Sequence, residues 1–221
     1  MSHKVRVWDL PTRCFHWALV LCFGGLVTTA QIGGDAMVWH FRCGYAVLSL
    51  LLFRLIWGVV GGRWSRFSAF IYAPASILTY LQGRGRPEHS IGHNPLGAGS
   101  VFALLGFLLL QVATGLLSDD EIATAGPLAK FAPNAVVSAA TFYHVSVGKL
   151  VLIGLVLLHI SAIVFYHIKK HENLVLPMLL GDKESDSAIE SSRDDAASRG
   201  LALVIFLGCA ALVLGMVELA G

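Results

Sequence analysis

The chain has 221 residues, of which 56% are hydrophobic and 14% are charged, and its mean hydropathy is +0.70. This composition excludes a soluble domain, because too few polar residues remain to cover an apolar core of this size. The formal net charge of +2 says little as a total. We expect membrane lipid, and no nucleic acid, as the surroundings of the chain.

Five apolar runs are long enough to cross a bilayer, which takes roughly 20 residues of helix. They are Cys14–Ile32, Val38–Val60, Pro95–Leu117, Thr141–Ile168 and Leu201–Ala220. The sequence therefore predicts an all-α integral membrane protein, in which a four-helix bundle precedes a fifth, carboxy-terminal transmembrane helix. The first run resembles a secretory signal, but we expect it to be retained, because cleavage would remove His16.

Two connections carry further predictions. The segment Phe67–Leu81 is apolar but is interrupted by Pro74, so we expect an interfacial helix rather than a sixth span. Residues 185–200 are rich in Asp, Glu and Ser, which predicts a flexible cytoplasmic linker. The predicted organisation is a transmembrane domain over residues 1–184, this linker over 185–200, and the additional helix over 201–221.

Basic side chains are distributed unevenly over the connections. One side of the threaded chain carries Lys4, Arg6, Arg13, Arg63, Arg66, Arg84, Arg86, Lys169, Lys170, Lys183, Arg193 and Arg199. The other side carries only Lys130, together with Asp35, Asp119, Asp120, Glu121 and Glu218. The positive-inside rule then predicts a multi-pass protein of the bacterial inner membrane, with a cytoplasmic amino terminus and a periplasmic carboxy terminus.

Four histidines lie inside the predicted spans, where an ionisable side chain is costly and is therefore a functional candidate. Threading the spans places His16 and His159 near the cytoplasmic side, and His40 and His144 near the outer side. Each pair comes from two helices at a similar depth, which is the arrangement that ligates one iron from both faces of a haem. The sequence predicts these four histidines as metal ligands of two b-type haems. Histidines that only hydrogen-bond between helices are the structural alternative.

The spacing of two of these histidines excludes one metal ion shared by all four. His144 and His159 are fifteen residues apart, about 22 Å along a helix, which is too far for one zinc or copper ion to bind both. Around the helix axis they are roughly 60° apart, so both side chains can face the interior of a bundle.

Glycines follow two of the histidines by one helical turn. Gly44 comes four residues after His40, and Gly148 comes four residues after His144. A missing side chain at this position lets a flat macrocycle approach the backbone, although glycine also serves helix packing. We therefore include Gly44 and Gly148 in the candidate cofactor site.

Three basic side chains lie within the predicted spans. Arg42, Arg54 and Lys149 can neutralise the anionic propionates of haem. They can also reach lipid headgroups, which is an equally good interpretation for Arg54. We take Arg42 as the first candidate for a propionate contact.

Three further histidines in the connections are expected to be solvated: His3, His89 and His93.

Two segments resemble a known family. The first reads Val5-Arg6-Val7-Trp8-Asp9-Leu10-Pro11-Thr12-Arg13-Cys14-Phe15-His16-Trp17. The second is the fourth helix, with the following His171-Glu172-Asn173-Leu174-Val175 and Gly181-Asp182-Lys183. Both are similar to the bacterial di-haem b-type cytochromes, which include the b subunit of nickel-iron hydrogenases and the cytochrome b561 proteins. The resemblance covers roughly residues 4–184 and leaves out the last helix.

This resemblance implies a four-helix core in which the first, second and fourth helices ligate two haems. The family positions fall on His16, His40, His144 and His159. In the family pattern the two histidines of the fourth helix are one residue closer together. A π-bulge near Gly148 or Gly154 would absorb the additional residue, so we predict one there.

The leading functional hypothesis is a transmembrane electron carrier, as the membrane subunit of an oxidoreductase complex. Electrons would pass between a periplasmic redox protein or a dehydrogenase- or hydrogenase-type subunit, the two haems, and a quinone near the cytoplasmic surface. We expect the longest external segment, Asp119–Ser138, to contact that partner. The alternative is a stand-alone enzyme that oxidises a small donor such as superoxide and reduces quinone. A funnel of basic residues on the outer side would favour this alternative, but Lys130 is the only basic residue there.

Overall fold

The computed structural model describes residues 3–84, 91–185 and 189–220, so Arg86 and His89 lie outside the described residues. Its elements in chain order are β1 (His3–Arg6), α1 (Leu10–Ile32), α2 (Met37–Val60), α3 (Pro74–Leu81), α4 (Pro95–Leu117), α5 (Asn134–Phe142), a π-helix (Tyr143–Gly148), α6 (Lys149–Lys169), α7 (Val175–Leu180), β2 (Asp182–Ser185) and α8 (Ala196–Ala220). Short 3-10 turns lie at Gly34–Ala36, Arg63–Ser65, Phe67–Ala69 and Ala129–Phe131.

Five helical stretches within the described residues are long and apolar enough to cross a membrane, which confirms the predicted all-α membrane fold. They are Leu10–Ile32, Gly34–Val60, Pro95–Leu117, Asn134–Lys169 and Ala196–Ala220. The segment that begins with Phe67 contributes only the short α3, whose first residue is Pro74, the position that proline favours in a helix.

Some helices begin earlier than hydropathy predicts. The observed starts are Leu10, Asn134 and Ala196, in place of the predicted Cys14, Thr141 and Leu201. The Asp9 carboxylate accepts a hydrogen bond from the Thr12 N–H, and the Asp195 carboxylate accepts one from the Ser198 N–H. These are N-caps of α1 and α8. Polar caps therefore set these two helix starts, several residues before the apolar run begins.

The chain folds into two compact units, each assembled from separate stretches of the sequence. The first unit combines Met1–His16, Arg54–Ala103 and Leu158–Ile205, and the second combines Trp17–Phe53, Leu104–Leu157 and Phe206–Gly221. His16 and His159 belong to the first unit, whereas His40 and His144 belong to the second. Each unit therefore contains one of the two histidine pairs.

A two-stranded antiparallel sheet in the first unit joins distant parts of the sequence. Strand β1 pairs with β2 so that Arg6 lies opposite Asp182, and their side chains form an ion pair of 2.7 Å. The Gly181 carbonyl accepts hydrogen bonds from the N–H groups of Val7 and Trp8. Gly181 has a φ of 94°, and a Cβ there would lie 2.7 Å from the Trp8 carbonyl oxygen. Glycine is therefore required at this junction.

The described part of the predicted linker, residues 189–195, makes hydrogen bonds to the amino-terminal segment. The Ser192 N–H donates to the Arg6 carbonyl at 2.7 Å, and the Ser192 hydroxyl donates to the Val7 carbonyl at 2.9 Å. The Trp64 indole N–H donates to the Glu190 carbonyl at 3.0 Å. Main-chain groups and a hydroxyl make these contacts, so composition does not reveal them. The domain division at residue 185 stays a prediction.

The Asp9 carboxylate connects the start of α1 to the end of α2 and the turn that follows it. Asp9 is fully buried. Besides the Thr12 N–H, it accepts hydrogen bonds from the Trp57 indole N–H at 3.2 Å, the Gly62 N–H at 3.2 Å and the Ser65 hydroxyl at 2.7 Å. Four donors thus stabilise a buried charge that would otherwise be costly in an apolar environment.

The connection between α4 and α5, in the second unit, is an ordered turn. A β-bridge joins Asp119 to Ala125. The Asp120 carboxylate accepts hydrogen bonds from the hydroxyl and N–H of Thr124 and from the N–H groups of two preceding residues, which lowers the pKa of Asp120. Ile122, inside this turn, is 92% exposed. The turn therefore presents an apolar side chain among acidic ones.

We expect Asp9→Asn to lower the free energy of unfolding in detergent by on the order of 1–3 kcal/mol, because an amide cannot accept from all of these buried donors. Asn remains a good N-cap, so the loss reports on the buried network rather than on the helix start. Thermal unfolding followed by circular dichroism measures the change. The matched control is Asp195→Asn, at the exposed N-cap of α8, which should change stability by less than about 0.5 kcal/mol. Equal losses in the two variants would contradict the network's role.

Candidate functional site

The structure brings His40 and His144 together. Their ring centroids are 6.2 Å apart, and the ring planes are nearly perpendicular, at 87°. His40 lies on α2 and His144 lies in the π-helix. In the part of the chain that the structure describes, no three His, Cys, Asp or Glu side chains are placed to hold a metal ion. The arrangement is therefore a pair rather than a metal cluster.

One ring nitrogen of each histidine is fixed by a main-chain carbonyl. The Nδ1 atom of His40 lies 3.1 Å from the Leu26 carbonyl oxygen, and the Nδ1 atom of His144 lies 2.8 Å from the Gln111 carbonyl oxygen. Because a carbonyl oxygen only accepts, each Nδ1 must carry the hydrogen and donate it. In this tautomer each Nε2 carries a lone pair. It is the tautomer that binds a metal through Nε2.

The separation of the two rings fits one metal ion between them. Two imidazole nitrogens, each about 2 Å from a metal and about 1 Å from its own ring centre, give centroids roughly 6 Å apart. The observed centroid distance between His40 and His144 is 6.2 Å. Edge-to-face packing of rings covers the same range of distances. The distance alone therefore does not separate a cofactor site from two rings packed edge to face. The size and lining of the space beside the rings decide between them.

That space is a cavity of about 320 Å³ lined by both histidines. Its volume falls in the range of ligand-binding pockets, and most of its lining is apolar. Gly44 also lines it, and a Cβ on Gly44 would meet no atom within 4 Å. Other lining residues include Phe23, Val27, Phe41, Tyr45, Val47, Leu108, Val112, Lys149 and Leu152. The described residues thus fit a flat, largely apolar group held by His40 and His144.

The π-helix Tyr143–Gly148 confirms the predicted π-bulge near Gly148. It contains His144, and the Gln111 side-chain amide donates to the His144 carbonyl at 2.9 Å. A Cβ on Gly148 would collide with the Gln111 amide oxygen. The structure thus gives Gly148 a packing role against Gln111, and its predicted role beside a macrocycle stays a prediction.

Two residues of α4 belong to this site although the sequence analysis did not select them. Gln111 contacts His144 through both its main chain and its side chain. A Cβ on Gly115 would lie 2.6 Å from Cε1 of the His144 ring. Gln111 is the sole side-chain amide in the apolar run Pro95–Leu117. A polar amide in a membrane helix typically bonds to another helix, and this was the available signal.

The second histidine pair lies in the first unit. His16, on α1, and His159, on α6, are each half-buried and are close enough to interact electrostatically. The structure thus places both members of this predicted pair in one unit and within electrostatic range of each other.

His93 lies in the same unit and corrects a prediction. Its ring is packed between Trp8 and Phe70, with centroid distances of 4.6 Å and 4.4 Å. Burial, followed by the charges of Arg54 and His159, lowers the pKa of His93 to about 3. The expectation that His93 is solvated is wrong, because aromatic rings from two separate segments enclose it. His3, by contrast, is exposed as predicted.

The basic side chains of the spans have different surroundings. Arg42 is exposed, and its guanidinium lies over the Trp39 ring at 4.8 Å, so its predicted propionate contact stays a prediction. Lys149 lines the cavity beside His40 and His144. Arg54 is 3% exposed, which contradicts the alternative that it reaches lipid headgroups.

A family model matches most of the chain. Residues 7–181 match the model of a family described as prokaryotic cytochrome b561. The chain belongs to the prokaryotic cytochrome b561 family. Membership confirms the resemblance seen in the sequence, and it identifies a multi-pass bacterial membrane protein of a family whose cofactor is haem b.

Several curated relatives are similar to the chain in sequence. The chain is 28% identical over 147 residues to the "Probable Ni/Fe-hydrogenase 1 B-type cytochrome subunit" of Escherichia coli strain K12, a match that covers 55% of this chain and 62% of that protein. It is 25% identical over 218 residues to the "Probable Ni/Fe-hydrogenase B-type cytochrome subunit" of Bradyrhizobium diazoefficiens, covering 81% and 86%. A protein of the same name from Rhodobacter capsulatus is 26% identical over 225 residues, covering 85% and 84%. The chain thus spans less than two thirds of the Escherichia coli relative.

We expect Gly115→Ala to reduce the haem content of this cytochrome b561, because the added methyl group would displace the His144 ring. Overpacking of this kind costs about 1–3 kcal/mol. The pyridine haemochrome assay measures haem per protein. The matched control on the same helix is Gly106→Ala, where a Cβ would meet no atom within 4 Å. Normal haem content in Gly115→Ala would show that the ring of His144 has more freedom than the structure indicates.

Proposed function

We propose that the chain binds two b-type haems and transfers electrons between an external redox partner and membrane quinone. One haem is held by His40 and His144, and the other by His16 and His159. The observation that carries this proposal is the geometry of His40 and His144, whose rings are 6.2 Å apart with both Nδ1 atoms bonded to main-chain carbonyls.

The chain's own residues orient and insulate the cofactor. The carbonyls of Leu26 and Gln111 hold each ring in one tautomer, and such a hydrogen bond makes the opposite nitrogen a better ligand. The apolar lining of the cavity excludes water, which lowers the local dielectric constant and thereby tunes the reduction potential. Lys149 supplies a positive charge that offsets a propionate. Haem, when bound, supplies the one-electron chemistry of its iron.

The distribution of basic residues supports one orientation of the chain in the membrane. We propose a cytoplasmic amino terminus and a periplasmic carboxy terminus, which places His40 and His144 near the periplasm. The relatives are named as hydrogenase subunits, and on this basis a periplasmic hydrogenase-type subunit is the proposed electron donor. Quinone near the cytoplasmic surface is the proposed acceptor.

The turn between α4 and α5 is the proposed contact for that donor. It lies within the predicted segment Asp119–Ser138, and Asp120 and Thr124 also line the cavity that contains His40 and His144. Its acidic side chains would repel an anionic donor such as superoxide. They therefore favour a protein partner over the stand-alone oxidase.

We expect His40→Ala and His144→Ala each to lose one haem, and the double variant to lose no more. His16→Ala and His159→Ala should lose the other haem, because removal of one axial ligand leaves the iron without its second protein bond. Pyridine haemochrome quantification and redox titration count what remains. His3→Ala, at an exposed position, is the control and should retain both haems. Loss of both haems from His40→Ala would contradict separate sites, unless unfolding accompanies it.

Substitution at the external turn tests the proposed partner contact. We expect Ile122→Ser to slow the reduction of haem by hydrogen, in membranes that contain the hydrogenase, by about fivefold or more, because an exposed apolar residue at a contact contributes more than about 1 kcal/mol. The haem spectrum should stay unchanged. Ile71→Ser, at an exposed position in another connection, should leave the rate unaltered. If hydrogen reduces the Ile122→Ser haems at the normal rate, this turn is not the docking site.

A further inference from the structure

The buried cation Arg54 has a hydrogen-bond donor that no described residue satisfies. Arg54 is 3% exposed, and its guanidinium lies over the ring of Phe67 at 4.6 Å. Its Nη1 atom is buried and has no hydrogen-bond partner among the residues that the structure describes. A buried guanidinium N–H without an acceptor is costly, and more so within a membrane span. The position therefore indicates an acceptor other than the described residues of the chain.

The buried carboxylate of Asp9 does not supply it. Asp9 attracts Arg54 electrostatically. The hydrogen bonds found for both Asp9 oxygens come, however, from Thr12, Trp57, Gly62 and Ser65. Asp9 thus offsets part of the charge of Arg54 but leaves its Nη1 donor unsatisfied.

His93 supplies a second, independent observation at the same place. Its Nδ1 atom is also buried without a hydrogen-bond partner in the described part of the chain. Trp8 and Phe70 hold the ring from two directions, and His93 interacts electrostatically with both Arg54 and His159. Phe67, which packs against Phe70 with ring centroids 5.9 Å apart, links Arg54 to the ring of His93. The two unsatisfied nitrogens therefore border one aromatic cluster, and His93 connects that cluster electrostatically to the proposed haem ligand His159.

We propose that Arg54 and His93 form a carboxylate site that binds a propionate of the haem held by His16 and His159. This inference rests on the proposed function, which puts a haem at His159. A carboxylate can accept hydrogen bonds from Arg54 and His93 together, and the charge-assisted bond to Arg54 is strong. The rings of Phe67 and Phe70 keep water away, which strengthens the ion pair. The site also makes Arg54, rather than Arg42, the propionate contact of that haem.

The test is a redox titration of the purified holoprotein with each haem resolved. Loss of the cation in Arg54→Gln removes a charge that favours the reduced iron. We expect the ratio of oxidised to reduced haem at the His16–His159 site to rise on the order of tenfold. For one electron this lowers the reduction potential by about 59 mV. Arg54→Lys should recover most of this shift. Arg66→Gln removes the same charge at an exposed position of the same unit and should leave both potentials unchanged.

Resonance Raman spectra distinguish a propionate from another anion, such as a lipid phosphate. The propionate bending band should shift in Arg54→Gln and, to a smaller extent, in His93→Phe, which keeps the ring between Trp8 and Phe70 but removes the nitrogen. The inference is overturned if either variant retains both haems while the Raman band and the potential match those of Arg66→Gln. The proposed function fails separately, if His16→Ala and His159→Ala retain full haem content.

Discussion

A hydrogen bond from Nδ1 of a membrane histidine to a main-chain carbonyl is the interaction on which the candidate site depends. An imidazole in an apolar span must satisfy its N–H, and at His40 and His144 the backbone of a neighbouring helix does so. This bond fixes the tautomer and the ring orientation together. The remaining nitrogen of each ring then carries the lone pair that can bind a metal.

The local irregularities of the second unit follow from that requirement. For the Gln111 carbonyl to reach His144, α4 must approach the π-helix closely, and Gly115 and Gly148 permit the approach because they lack side chains. The π-helix in turn needs hydrogen-bond donors for carbonyls shifted from their usual partners, and the Gln111 amide N–H provides one to the His144 carbonyl. One glutamine thus stabilises both the ring of His144 and the π-helix that contains it.

The sequence predicted features that depend on pattern along the chain, and it missed those that depend on contacts between distant segments. Hydropathy located the five spans, and one surplus residue between His144 and His159 predicted the π-bulge. The burial of His93 between Trp8 and Phe70 could not be predicted, because the two rings come from different connections. For the same reason, composition suggested exposure for residues near Ser192, whose hydroxyl is buried against the amino-terminal segment.

The pairing of β1 with β2 has a consequence for biosynthesis. The N–H of Arg6 bonds to the Ser191 hydroxyl across 185 residues of chain, and Val7 and Trp8 bond to Gly181. The ribosome therefore releases the partners of the amino-terminal strand only when translation is nearly complete. Contacts this distant along the chain form late during folding. The end of α1 that carries His16 can thus be fixed in place only after α6 has been synthesised, so this end of the helix reaches its final position late in folding.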